Sequence, residues 1–188
     1  MKGVNGLFPV LTYQDSVGET EEIKNEILST ISKQVKENPY RVPIEWESKK
    51  LHTSYGRNNS LLQKVFKKYY KKYVSDFLDS SFISYVEIWF NHYASADYYQ
   101  ECHNHSIVKT KFDYSGVHFL SYNPEYHSPL RFYDPLRLVN SANEFTLDLP
   151  VNEGDILLFP SYLEHSVPQS INEYKTPRIT VSFNIRLW

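Results

Sequence analysis

Cysteine is nearly absent from this chain: Cys102 is the only one in 188 residues. A single thiol excludes an intrachain disulfide and a thiolate-rich structural zinc site, and its natural setting is a reducing, cytoplasmic one. Net charge is nearly absent too, at −2 at pH 7. That excludes a nucleic-acid footprint spread over the whole chain. Long apolar runs are missing. The short one in MKGVNGLFPVL is interrupted by Pro9 and does not reach the length of a signal peptide's apolar segment, and nothing approaches the roughly 20 residues of a membrane span. Repeats, low-complexity tracts and linkers are missing as well. One domain is therefore expected over residues 1–188, with a strand and flanking helices in 1–80 and a β core in 81–188.

Aromatic residues are plentiful, at 16% of the chain, and tyrosine alone contributes 16 copies. Rings of this kind suit half-buried strands. A strand is expected at Leu7–Tyr13. Ile23, Ile27, Leu28, Ile31 and Val35 recur at helical spacing within Glu19–Glu37, and Asn38-Pro39 ends that helix. A second helix is expected over Leu61–Leu78, with Leu62, Val65, Phe66, Tyr69, Tyr73 and Phe77 on one face. Beyond Ser81 short strands follow at regular intervals: Ser84–Tyr93, Tyr114–Tyr122, Leu130–Tyr133, Glu144–Leu149, Asp155–Phe159, His165–Pro168 and Arg178–Leu187. Turn pairs such as Asp134-Pro135 and Glu153-Gly154 separate them. Many short strands with punctual turns predict a sandwich or barrel with the two helices outside it.

The histidines carry the chemistry. His103 and His105 lie in CHNHS, and alternate residues of an extended segment point to one side, which lets two imidazoles grip one ion. His165, just past DILLFPSYLE, can supply a third ligand from a distant strand of a rolled sheet. Three ligands on one face leave three octahedral positions open. Against this, an isolated HxH is more often a solvated pair than a ligand pair. His118, alternating within VHFLS, reads as a satisfied sheet histidine, and His52, His92 and His127 carry no pattern. Arg178 opens the last strand and Thr180 shares its face. A guanidinium fork with a hydroxyl beside it matches a carboxylate. A dicarboxylate with a keto group at one end could span the ion and the arginine.

At this point the residues resemble a family. HNHS, SGVHFLSYNP, LRFYDP, GDILLFPSYLEHSVPQ and RITVSFNI are similar, in that order, to the motifs of the 2-oxoglutarate/iron(II) oxygenase superfamily, within a group from bacteria and often from marine bacteriophages. The resemblance covers about residues 84 to 188. It implies a double-stranded β-helix, a jelly roll with flanking helices (α+β, mainly β). It implies iron(II), 2-oxoglutarate and O2, with iron on His103, His105 and His165, and the cofactor's far carboxylate on Arg178 and Thr180. Trp89, Phe119, Phe132, Phe159 and Phe183 are then expected to line the barrel, with Asn91 and Tyr93 facing the pocket.

Two positions depart from the family pattern. Relatives carry a carboxylate where this chain has His105, and an arginine where it has Leu136. Three imidazoles leave an iron(II) site one charge more positive than two imidazoles and a carboxylate, so Asp134 remains an alternative third ligand. Three readings stay open beside the hydroxylase. One is a cupin-like metal dioxygenase or isomerase that uses no keto acid. Another is a non-enzymatic jelly-roll module. The third takes the lysine–tyrosine stretch KVFKKYYKKYV as a nucleic-acid patch rather than an amphipathic helix. Peptide, nucleobase and small metabolite are all open as substrate, and an oligomer is possible.

Overall fold

The computed structural model describes residues 3–7, 10–38, 41–43, 46, 51–57, 59–79, 82–106, 111–135 and 146–188. Leu136 and the first two residues of the strand expected from Glu144 lie outside them.

Among the described residues eleven strands form two sheets. They are β1 (Gly3–Leu7), β2 (Val10–Ser16), β3 (His52–Thr53), β4 (Ile83–Tyr93), β5 (Gln100–His103), β6 (Tyr114–Ser121), β7 (Arg131–Tyr133), β8 (Thr146–Asp148), β9 (Asp155–Pro160), β10 (His165–Val167) and β11 (Arg178–Leu187). The larger sheet runs β1-β2-β9-β6-β11-β4-β3 and the smaller β5-β10-β7-β8. Every pairing is antiparallel. This is the double-stranded β-helix expected from the sequence.

Strand alternation divides the large sheet into two faces. Ile179, Val181, Phe183 and Ile185 of β11, Ile88 and Phe90 of β4, and Ile156 and Leu158 of β9 form one apolar cluster with the helices. Ile23, Ile27 and Ile31 of α1 (Thr20–Glu37) close that cluster, all within 1% of full burial. On the other face Val117, Phe119, Leu157 and Phe159 meet Phe132, Leu163 and Val167 between the two sheets. Gly116 in β6 is required by close packing: a Cβ there would come 2.8 Å from Leu158 Cδ2 and closer still to the Phe183 ring.

Two expectations need correction and a third needs refining. Leu7–Tyr13 is not one strand; β1 and β2 pair with each other as a hairpin, with Leu7 opposite Val10. The second helix is not uniform. It runs as α2 (Ser60–Val65), a π-helical stretch over Phe66–Tyr70, and α3 (Lys71–Phe77). The wider turn buries Phe66, Tyr69 and Tyr70 together, and Tyr70 Oη reaches His118 Nδ1 at 2.8 Å. Finally, Phe183 borders the cavity as expected, but its ring packs on the helix side against Phe66 and Tyr70, at centroid distances of 5.2 and 5.6 Å, because its parity on β11 is opposite to that of Arg178 and Thr180. The lysine–tyrosine stretch faces α1: Lys68 and Tyr69 hold Glu26, and Lys72 holds Glu19, which is the amphipathic-helix reading.

Candidate metal centre

β5 and β10 are neighbours, and their register sets His103 directly opposite His165. The HxH pair does not lie wholly in an extended strand, since β5 ends at His103. His105 follows it in a bend, fixed by its own N–H donating to the Ser161 carbonyl at 2.8 Å. Asn104 Oδ1 accepts from the Ser106 amide at 3.2 Å and tightens the same bend. The three rings still converge. Their centroids are 4.4 Å apart for His103 and His165, 5.1 Å for His103 and His105, and 5.3 Å for His105 and His165. One ligand atom from each lies within 4.8 Å of the others, and this is the one such His/Cys/Asp/Glu group among the described residues. Asp134, just past β7, stands outside it. Cys102 is exposed and is not part of the group.

Burial keeps all three imidazoles neutral. It depresses the proton affinity of His103, takes His105 down to about 3, and takes His165 well below its ordinary value, with the neighbouring imidazoles adding to the effect on the last two. His103 Nδ1 and His165 Nδ1 each donate to a backbone carbonyl, of Glu101 at 2.7 Å and Leu163 at 2.9 Å. That fixes the tautomer of both and leaves Nε2 unprotonated.

The same cavity holds a cation at its far end. Arg178 is 1% exposed. Its guanidinium sits 4.8 Å from the centre of the Tyr93 ring, with Phe119 and Tyr122 at 5.6 and 5.8 Å. Nε donates to the Ser128 carbonyl at 3.1 Å, while Nη1 has no partner among the described residues. Thr180, 2% exposed, lies two residues on along the same face, and Asn91 and Tyr93 line the cavity as expected. Tyr93 Oη donates to Gln100 Oε1 at 3.2 Å, and Gln100 Nε2 faces His103 Nε2 at 3.4 Å. A chain of polar contacts thus joins the arginine end to the histidine end. Trp89 Nε1 and Asn91 Oδ1, both facing this space, are also without partners among the described residues. The cavity is narrow, about 20 Å³.

Of the residues around the site, sequence reasoning missed Gln100, Ser115, Ser182, Asn184 and Glu87. Ser182 and Asn184 were accessible in principle, because they continue the parity of Arg178 and Thr180 in RITVSFNI. Glu87 becomes visible only through register, which sets it opposite Asn184.

Two antiparallel sheets enclosing converged neutral imidazoles and a buried guanidinium define a double-stranded β-helix whose lining carries donors for an ion and for an anion. Residues 87–184, more than half of the chain, match the family described as "Putative 2OG-Fe(II) oxygenase". The chain belongs to that family of 2-oxoglutarate-dependent oxygenases, whose cofactors are iron(II) and 2-oxoglutarate with O2 as co-substrate. Solved structures share the fold at low identity. A prolyl-4-hydroxylase of Pseudomonas putida is 12% identical with a TM-score of 0.64, over 94% of this chain and 92% of that one. A prolyl hydroxylase of Trichoplax adhaerens, in complex with a hypoxia inducible factor peptide fragment, is 11% identical with a TM-score of 0.64, over 93% and 83%. A viral collagen prolyl hydroxylase of Paramecium Bursaria Chlorella virus-1, complexed with 2-oxoglutarate, is 12% identical with a TM-score of 0.57, over 94% and 96%. No curated protein matches the chain. Among the described residues no helix is long and apolar enough to cross a membrane.

Proposed function

We propose that this oxygenase is a hydroxylase that binds iron(II) through His103, His105 and His165 and anchors 2-oxoglutarate through Arg178 and Thr180. The observation that carries this reading is the Nη1 of Arg178, buried without a partner among the described residues in the cavity that the three imidazoles line. A guanidinium out of water with no anion costs several kcal/mol, and a carboxylate arriving there relieves that cost. The donor set fits the group: neutral imidazoles for a divalent ion, and a planar fork with a hydroxyl for a carboxylate. When bound, the iron and keto acid supply the oxidation of a C–H bond in the substrate, with the keto acid leaving as succinate and carbon dioxide. The chain's own residues do the rest. Arg178 and Thr180 fix the far carboxylate. Leu163 and Glu101 carbonyls hold two ligand rings. Phe159, Leu130 and Val167 keep the cavity dry.

The prolyl hydroxylase likeness makes peptidyl proline the first substrate to assay, with other peptides, nucleobases and small metabolites after it. One feature favours a second reading, a cupin-like dioxygenase that uses no keto acid: His105 stands where relatives carry a carboxylate. A single experiment separates the two. Anaerobic titration with manganese(II) and 2-oxoglutarate should give saturable binding of the keto acid that weakens at least about tenfold in Arg178→Gln. Aerobic incubation with iron(II) should release succinate. Unchanged keto-acid binding in the variant removes Arg178 from the site, and no succinate at all favours the cupin reading.

A further inference from the structure

His127 carries no pattern in the sequence, yet it is buried and both of its ring nitrogens meet the backbone. Nδ1 accepts from the Asn123 N–H at 2.9 Å, and Nε2–H donates to the Thr176 carbonyl at 2.7 Å. A backbone N–H only donates and a backbone carbonyl only accepts, so these two partners fix the neutral ring as its Nε2–H tautomer. Burial depresses the proton affinity of the ring, which keeps Nδ1 an acceptor. The His127 N–H also donates to the Asn123 carbonyl at 2.9 Å, so ring and main chain close the same turn between β6 and β7. The Nε2 bond leaves that turn and reaches the segment before β11.

Both segments bear on Arg178. Thr176 precedes it in the chain by a single proline, Pro177. Ser128, next to His127, takes the Arg178 Nε–H on its carbonyl at 3.1 Å. A hydrogen bond at Nε fixes the rotation of the planar guanidinium, and it leaves Nη1 without a partner among the described residues. A two-point contact between that fork and a carboxylate tolerates little rotation. Tyr174 supports the same residue: its Oη accepts from the Ser128 N–H and donates to Ser128 Oγ, both at 3.3 Å. Ser170 and Asn172 also cross between the segments, to the carbonyls of Tyr126 and Glu125, but these lie farther along the chain from Ser128 than His127 does. We propose that His127 is a positioning residue for 2-oxoglutarate. By clamping the β6–β7 turn to the segment before β11, it holds the Ser128 carbonyl on Arg178 Nε and aims the guanidinium at the far carboxylate. His127 itself does not line the cavity, so it acts through Arg178.

This role rests on Arg178 being the anchor of the keto acid, and a double-variant cycle keeps the two readings apart. Manganese(II) affinity, and the 2-oxoglutarate affinity of the manganese-loaded protein, are measured on the full chain by anaerobic calorimetric titration, with circular dichroism to confirm folding. His127→Asn keeps an acceptor near the Asn123 N–H but is too short to reach Thr176. It should weaken 2-oxoglutarate about tenfold, the cost of a buried carbonyl left without its donor, and leave manganese(II) within about twofold. His127→Gln is long enough to place a donor at Thr176 and should recover most of the loss. Tyr174→Phe keeps the ring and removes the hydroxyl that meets Ser128, and it should weaken 2-oxoglutarate by a few-fold. In Arg178→Gln the further change His127→Asn should add nothing, because the fork that it aims is gone. No loss in His127→Asn, an equal loss in both Arg178 backgrounds, an equal loss in the Asn and Gln variants, or a loss shared by manganese(II) and the keto acid overturns the proposal. Unchanged keto-acid binding in Arg178→Gln alone overturns the anchor reading instead.

Discussion

β11 presents two faces that obey different physics. Ile179, Val181, Phe183 and Ile185 pack against helices in a sealed apolar cluster. Arg178, Thr180, Ser182 and Asn184, interleaved with them, face the cavity and are just as buried, at 8% exposure or less for all eight. Burial alone therefore separates nothing. The helix face is complete in itself: its side chains fill space against Phe66, Tyr70 and Ile88 and ask for no ligand. The cavity face keeps a guanidinium nitrogen without a partner among the described residues and gathers neutral imidazoles across the gap. One strand thus stores stability on one side and unfinished polar chemistry on the other. Substitutions on the two sides should move different measurements.

The largest effect is expected on the cavity side. His103→Ala/His165→Ala removes the two rings whose tautomers the backbone fixes, so iron(II) or manganese(II) affinity should fall by on the order of a thousandfold or more, since each lost ligand or its support costs about ten- to a hundredfold. Calorimetric titration reads this, and retention of wild-type affinity would place the ion elsewhere. Next, Phe183→Ala empties a fully buried ring from the helix side. It should lower unfolding free energy by about 3–5 kcal/mol in urea denaturation, while the manganese affinity of the folded fraction stays within a factor of two or so. Arg178→Met should do the opposite. Keto-acid binding weakens at least about tenfold, yet stability holds or rises by on the order of 1 kcal/mol, because a buried charge without an anion is replaced by an apolar chain of similar length. A drop of stability comparable to that of Phe183→Ala would mean that the two faces are not distinct in this way.

This division also explains what the sequence could and could not reveal. β11 occupies Arg178–Leu187, the span expected, because a β-branched run after Thr176-Pro177 has one reading. α1 differs from its expected span by one residue for the same reason: its isoleucines repeat at a single period. His103, His165, Arg178 and Thr180 stood out because motif order and strand parity agree. Features that depend on pairing did not show. β3 has two residues, too few to carry a pattern. The β1–β2 hairpin hid inside one expected strand. Phe183 was expected to line the barrel and does border the cavity, but the packing of its ring on the helix side follows from its parity with Val181. Glu87 and Asn184 are far apart in sequence and meet only through the register of β4 and β11.

The smallest predicted effect sharpens the comparison through its histidines. His118 belongs to the helix side. Thr20 Oγ1 donates to the Val17 carbonyl at 2.7 Å, so at 3.2 Å it accepts from His118 Nε2–H, and Nδ1 accepts from Tyr70 Oη at 2.8 Å. A proton added to Nδ1 has no acceptor there. Burial, with the Lys24 charge adding to it, pushes the pKa down to about 3. The unfolded chain titrates near 6.5, so between the two values it binds the proton that the folded chain refuses. The contribution is complete above about pH 6.5 and is lost as pH falls toward 3, with a limiting slope of about 1.4 kcal/mol per pH unit for one histidine. His103, His105 and His165 follow the same sign on the cavity side, but there an ion competes with the proton. Saturating manganese(II) should therefore steepen the loss of stability on acidification at the cavity-side histidines, since protons also displace the ion. The share due to His118 should stay unchanged. Urea midpoints of wild type and His118→Asn, taken from pH 7.5 to 5 with chelator and again with manganese(II), should differ in slope by the same single-proton amount in both series. A difference that changes when the ion is added would tie His118 to the cavity and erase the distinction between the two faces.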